Sequence, residues 1–302
     1  MRVSTSMIYQ QLTDKMSENS AAMAKLQSAL SSGSKFTRAS EEPSLAGRVQ
    51  SFESRLATLE ADRQAISRVR IGVDAQSRAL QLGSELMDRL KQLAFQGAND
   101  PVPQSQLDAI AEELTALKRS FVDLANTRDA DDRYVFGGTR SGAPPYVLNN
   151  DGTVDYVGST TPLRVRVNDV GFEDATTSGP SIWKGIERDN NSIGFFEVLN
   201  EFESALRNNR LDGRQQALRD IEALNENIGV AMARAGGIQQ RLDIAERQAE
   251  EITLRARESL SDLKDLDYAT ALTQLQQQEL LMQASQSMMT RLSQLSLLDS
   301  MR

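Results

Sequence analysis

Apolar residues fall on a repeating seam along most of the chain. Near the start, Tyr9, Met16, Met23 and Leu30 are spaced by seven, and Leu12, Asn19 and Leu26 repeat that spacing three positions on. Alternating steps of three and four keep one stripe of a helix against a partner helix. Asn19 is the polar member and a candidate for fixing register. An amphipathic helix folded onto its own domain would show the same pattern. "SSGSKF" interrupts it. Ser40 then reads as an N-cap, with Glu41 and Glu42 in the first turn and Pro43 early enough to be tolerated. The next seam runs Leu45, Val49, Phe52, Leu56, Leu59, Arg63, Ile66, Arg70, Val73, Ser77, Leu80, Ser84 and Met87, and predicts one long helix to about Gln96. Gly72 and Gly83 mark close helix contacts or soft points. "GANDPVPQ" is a turn. Leu107, Ile110, Leu114, Leu117, Phe121 and Leu124 then share one face of a helix that ends near "ANTRDADD".

The middle changes character. "RYVFGGTR" reads as a short strand and a Gly-Gly turn, and "YVLNNDGTVDYVG" as two strands around an Asp-Gly turn. "LRVRVND" alternates, with Leu163, Val165 and Val167 on one face and Arg164 and Arg166 on the other. Residues 138–192 hold the single Trp183, expected to be the core of a small β-containing insertion. The ends of such an insertion should lie close together, so that a short linker could replace it. Helical signal returns at Phe195, Phe196, Leu199, Phe202 and Leu206 and breaks at "NNRLDG". One further seam runs Ala217, Ile221, Leu224, Ile228, Ala231, Ala235, Ile238, Leu242, Ala245, Ala249, Ile252, Ala256, Leu263 and Leu266. It continues through Leu272, Leu275, Met282, Met289 and Leu292. A second stripe, Leu281, Met288 and Leu295, lies about 100° around the helix. Gly236-Gly237 is either a break or a site of close approach.

These patterns predict a mainly α fold: a rod of long antiparallel helices in a coiled-coil-like bundle, with a small inserted β domain and both termini at one end. The division expected is 1–38 with 262–302 as a terminal helical domain, 39–137 with 193–261 as the long-helix domain, and 138–192 as the insertion.

The tail poses a physical problem. From Tyr268 to Thr290 the only ionised side chain is Glu279, and Leu and Met occupy more than one side of the helix. A helix apolar on several sides wants neighbours all around it. The rest of the composition narrows what those neighbours are for. Aromatic content is 5%, thin for an enzyme of 302 residues, and there is no Cys and no His. Disulfides, thiolate chemistry, Cys-ligated zinc and histidine acid–base catalysis are excluded. No Gly-rich loop opens a helix after a strand, so a phosphate cradle and a nucleotide cofactor are not expected. Asp129, Asp131 and Asp132 form an acidic turn rather than a cation site, and Arg164 and Arg166 an exposed strand edge rather than an anion site. The expectation is no enzyme activity, no cofactor and no metal. A net charge of −8 argues against nucleic acid or an anionic membrane as partner. No segment approaches the length of apolar chain that spans a bilayer, and the N-terminus has no apolar run of signal-peptide length.

Several stretches resemble a known family. "SSGSKFTRASEEPSLAGRV" is similar to the segment of flagellins and their junction relatives in which a Ser-Gly turn leads through an acidic pair into a long helix. "LANTRDADDRYVFGGTRSGAPPY" and the opening "MRVSTSMIYQQ" resemble more specifically the FlgL family of hook-associated proteins. "AGGIQQRLDIAE" and "DLDYATALTQLQQQELLMQASQSMM" are similar to the shared C-terminal region. Glu41-Glu42-Pro43 stands where Asp-Asp-Pro is commoner, and Gly236-Gly237 where Gly-Ala is. The resemblance covers roughly the first 140 and last 110 residues and not the middle.

The resemblance implies a structural subunit of the bacterial flagellum, secreted through the flagellar type III apparatus and placed at the hook–filament junction. Its partners would be further copies of itself in a helical ring, the first hook-associated protein (FlgK type), flagellin, and an export chaperone at the C-terminal region. The assembly interface would comprise Tyr9, Leu12, Met16, Met23, Leu26 and Leu30 of the first helix. From the last it would take Leu272, Leu275, Leu281, Met282, Met288, Met289, Leu292 and Leu295. Flagellin itself and a cytosolic coiled-coil adaptor stand as alternatives, separated from this reading by location.

Overall fold

The computed structural model describes residues 2–99, 101–168, 171–188 and 191–300, with side chains described from Met7 to Ser293. Among these residues seven helices and six short strands follow in the order α1 (Arg2–Ser32), α2 (Pro43–Ala98), α3 (Gln104–Ala125), β1 (Tyr146–Leu148), β2 (Val154–Tyr156), β3 (Arg164–Arg166), β4 (Phe172–Asp174), α4 (Gly179–Ile182), β5 (Ile186–Arg188), β6 (Asn191–Ile193), α5 (Phe195–Arg207), α6 (Leu211–Lys264) and α7 (Tyr268–Ser300). The strands form three separate antiparallel pairs, β1–β2, β3–β4 and β5–β6. The mainly α class with a small β region between the helices is as the seams predict.

The chain forms two compact units, 1–58 with 252–302, and 59–251. In the second, the predicted seams are the core. Leu80, Met87, Leu90 and Leu93 of α2, Leu107, Leu114 and Phe121 of α3, Leu199 and Phe202 of α5, and Ile221 and Leu224 of α6 are all buried in one cluster. α2 and α6 run antiparallel, since Arg70 pairs with Asp243 (2.8 Å) while Arg214 donates to the Gly97 carbonyl (2.6 Å). Gly236-Gly237 does not break α6, which is helical through both residues.

The β region shares this core. Trp183 is buried edge-on against Phe121 of α3, Phe195 of α5 and Phe136, with ring centroids 5.3–6.0 Å apart. Tyr146 of β1 packs on Phe196 of α5 at 5.4 Å. The single tryptophan therefore belongs to a core common to helices and hairpins. β1 and β2 pair as the Asp-Gly turn predicts, with Tyr146 opposite Tyr156. β3 presents Arg164 and Arg166 to solvent, while Val167 is buried.

Four local expectations need correction. "RYVFGGTR" is no strand: it holds single bridges, Arg128 to Tyr134 and Gly137 to Ser178, joined by turns. Gly138 explains why. Its φ is +58°, and a Cβ there would lie 2.2 Å from the Ser159 carbonyl oxygen, so the chain turns where only glycine fits. Ser40 does not cap α2. The helix begins at Pro43, whose missing N–H costs nothing at that position, and Glu41 instead accepts the Thr37 N–H at 3.2 Å in the preceding turn. Finally, α6 and α7 are two helices, and Ile252 is 40% exposed rather than on the α6 seam.

Candidate assembly surface

α1 and α7 pack against each other in the first unit, antiparallel, and their junction is built from backbone. α1 ends at Gly33, whose φ of +68° reverses the chain in the left-handed conformation that glycine adopts without strain. Ser34 then bridges Asp265. Leu266 N–H donates to the Gly33 carbonyl at 2.9 Å, and Lys35 N–H donates to Lys264 at 2.8 Å. Lys35 Nζ donates to the Asp262 carbonyl. Asp267 caps α7 by accepting the N–H groups of Ala269 (3.1 Å) and Thr270 (3.2 Å). The Thr270 hydroxyl bond, followed by these backbone bonds, holds the Asp267 carboxyl below its ordinary range.

The seam of α1 lies on its α7 side. Tyr9, Leu12, Met16, Asn19, Met23, Leu26 and Leu30 are all half-buried, and Ala29 is buried. The α7 seam keeps four of the five predicted positions, Leu275, Met282, Met289 and Leu292, and differs at its start. Ala271 is buried, and Leu275, Gln278, Met282, Ser285, Met289 and Leu292 are half-buried. Leu272 is instead 49% exposed. Ala271 takes the inward place expected of Leu272, so the first step of the seam is four residues, to Leu275, rather than three. Leu281 and Met288, the predicted second stripe, are 51% and 57% exposed, and Leu295 lies outside the described side chains. Leu280 is 67% exposed on yet another side, and Met7 of α1 is 61% exposed.

α7 thus offers apolar surface on sides that α1 does not cover. Among its described side chains only Glu279 and Arg291 are charged. The arrangement can bury further helices without stranding ions in the contact. Gln278 and Ser285 were missed from sequence because a search for apolar spacing passes over polar seam positions; their 3–4 spacing from Leu275, Met282 and Met289 was the available signal.

Other candidate groups are internally occupied. Asp129 accepts the N–H groups of Asp131 and Arg133, each at 2.9 Å, and pairs with Arg133; Asp132 pairs with Arg128 at 2.6 Å. The acidic turn is neutralised by arginine. Arg164 sits 3.6 Å from Asp174 and over the Phe172 ring, and Arg166 lies 4.0 Å from Asp62. Among the described residues no group of three or more carboxylates converges, and no helix is long and apolar enough to cross a membrane.

Residues 3–141 match the bacterial flagellin N-terminal helical region, and residues 218–301 match the bacterial flagellin C-terminal helical region. The chain is 21% identical to flagellar hook-associated protein 3 of Salmonella typhimurium, over 98% of each chain. It is 22% identical to flagellin of Bacillus subtilis, over 97% of each. The crystal structure of Xanthomonas campestris FlgL superposes with a TM-score of 0.61 at 21% identity, covering 70% of this chain and 99% of that one. The two matched regions carry α1, α2 and α3 at one end and most of α6 with α7 at the other, and the chain belongs to the flagellin-like superfamily.

Proposed function

We propose that the chain is a structural subunit of the bacterial flagellum, of the hook-associated FlgL type, placed at the junction between hook and filament. The observation that carries this is the α1–α7 pair. Its inner face is closed by a continuous seam, yet Leu272, Leu280, Leu281 and Met288 remain exposed on an almost uncharged helix. Such surface is costly in a protein that stays alone and is suited to a wall of packed copies. Different patches on opposite flanks favour head-to-tail contacts, which repeat around a ring or helix rather than closing a dimer.

In this reading α1 and α7 line the tube, with residues 1–38 and 262–302 as the inner-tube domain, 39–137 with 193–261 as the helical body and 138–192 as the insertion. The subunit is secreted through the flagellar export apparatus with a chaperone on its C-terminal region. It contacts copies of itself, the first hook-associated protein and flagellin, and its role is architectural rather than enzymatic. Likeness over nearly the whole length to hook-associated protein 3 supports the junction position. The likeness to flagellin, equally long, supports a second reading as the filament subunit. Immuno-electron microscopy of detached flagella separates them. Label confined to one ring between hook and filament is expected; label along the whole filament means flagellin, and no label on flagella defeats both.

A further inference from the structure

A cleft of about 630 Å³ lies between α3, α5 and the turn of the β1–β2 hairpin. That is within the range of small-molecule sites, but its lining is polar rather than apolar. Leu148 is the one large apolar residue in it.

The floor is a buried ion pair. Lys118 is 3% exposed, and its Nζ donates to Glu203 at 2.9 Å and Asn200 at 2.8 Å. A buried pair of this kind is a weak stabiliser compared with apolar side chains of similar size, so its place at the base of a cleft asks for another role. The carboxylates of the cleft are spent internally. Glu203 accepts from Lys118, from the Thr115 hydroxyl at 3.2 Å and from Arg207 at 3.1 Å. Asp151 accepts the N–H and hydroxyl of Thr153 at 2.9 and 2.6 Å. The donors are not spent. Lys118 has three N–H groups and two partners, and Asn200, which lines the cleft, uses its oxygen while its amide N–H groups have no partner among the described residues. Arg119, on the wall, has no hydrogen-bond or ion-pair partner among the described residues. The cleft therefore has satisfied carboxylates and spare cationic donors, with three cations against two carboxylates, in a chain of net charge −8.

We propose that this cleft binds a small hydroxylated organic anion, a carboxylated sugar being the class that fits. The carboxylate would take Arg119, whose planar fork matches it, and the hydroxyls would take the amide and ammonium donors of Asn200 and Lys118. Leu148 offers an apolar face to the sugar's C–H groups. A bare inorganic anion would leave most of the volume unfilled.

The test is calorimetric titration of the purified full chain with glucuronate, glucose and inorganic phosphate in parallel. Saturable binding of glucuronate, with neither glucose nor phosphate matching it, is expected. Arg119→Ala should weaken it about tenfold, the loss of one charge-assisted contact, with an unchanged melting temperature because Arg119 holds nothing else in place. Phosphate binding as tightly as glucuronate would overturn the sugar in favour of plain charge attraction. Glucose binding equally well would overturn the anion, and unaltered glucuronate binding in Arg119→Ala would overturn the site. No binding of any of the three overturns the proposal.

Discussion

Asn126 holds Tyr146 as a neighbouring strand would: its Nδ2 donates to the Tyr146 carbonyl at 2.9 Å and its Oδ1 accepts the Tyr146 N–H at 3.0 Å. Asn126 is also the C-cap of α3, and its own N–H bonds back to the Val122 carbonyl at 3.0 Å. One residue therefore ends a helix with its backbone and supplies the missing edge of hairpin β1–β2 with its side chain. The following Thr127 extends the link, since its carbonyl accepts the Val135 N–H at 3.1 Å.

Replacing Asn126 with Ala leaves a donor and an acceptor of Tyr146 unpaired on a residue that is 5% exposed. Each unsatisfied buried group costs on the order of 1–3 kcal/mol. We expect Asn126→Ala to destabilise the chain by roughly 3 kcal/mol in urea denaturation with the slope unchanged. Asn126→Asp, which keeps only the acceptor, should fall between. A change below about 0.5 kcal/mol, the scale of an inert surface substitution, would show that the pairing is incidental.

Trp183 offers a test of where the β region ends and the helices begin. Composition pointed to a replaceable insertion over 138–192, but Trp183 and Tyr146 complete an aromatic cluster whose other members, Phe121, Phe195 and Phe196, belong to α3 and α5. Excising 138–192 for a short Gly/Ser linker should bare those rings and lower the helical melting temperature by 10 °C or more, on the order of several kcal/mol. In the intact chain, tryptophan fluorescence and helical circular dichroism should report one coincident transition. An excised chain that melts like its parent would restore the independent insertion.

How much was legible from the residues depended on whether a pattern was local. The heptad from Tyr9 to Leu30 and the α6 seam from Ala217 to Ala249 are periodic, and burial follows them closely. The hairpin was legible because Asp151-Gly152 demands a turn, and Gly152 does sit at φ +83°. Leu272 was misplaced because Ala271, four positions before Leu275, and Leu272, three before it, both satisfy the seam spacing, and nothing in "DLKDLDYA" separates a helix end from a polar helical turn. Lys118 escaped notice for a different reason. It sits among Leu114, Leu117 and Phe121 on the buried face of α3, and only its partner Glu203, far along the chain, makes a buried ammonium tolerable there. Long-range pairing of that kind has no periodic signature.

The same pair sets a pH dependence. Burial pushes the Glu203 carboxyl up, but the hydrogen bonds and charges of Lys118, with help from Arg207 and Thr115, outweigh it and bring it below the ordinary value of 4.5. A carboxyl whose folded pKa is depressed contributes stability above its unfolded pKa and loses it as pH falls through the folded one. Stability of the 59–251 unit should therefore hold from neutrality to about pH 4.5 and decline below it. Glu203→Gln should flatten that acid limb while lowering stability at pH 7, because Lys118 is then buried without its counter-charge. Parallel acid limbs in parent and variant would mean that Glu203 is not the responsible group.

The proposed assembly role is tested most sharply by choosing residues that the isolated chain leaves exposed. Met282 and Met289 lie half-buried on the side of α7 that α1 covers, so Lys there damages the helix pair as well as any contact between copies. Leu281 and Met288 are 51% and 57% exposed, so Lys at both costs the isolated chain little. Packed among neighbouring copies, each Lys would lose water without a partner of opposite charge, at a cost of several kcal/mol unless its stem lets the ammonium reach solvent. Every copy carries that cost, so it multiplies around a ring. We expect Leu281→Lys with Met288→Lys to be secreted, to melt within about 1 °C of the parent, and to be missing from the hook tip, with flagellin lost to the medium. Met282→Lys with Met289→Lys should also fail at the tip but with measurable loss of helix in the free chain. Normal filaments from the first pair would refute the assembly surface, and a lowered melting temperature from it would mean that these residues face the chain's own core.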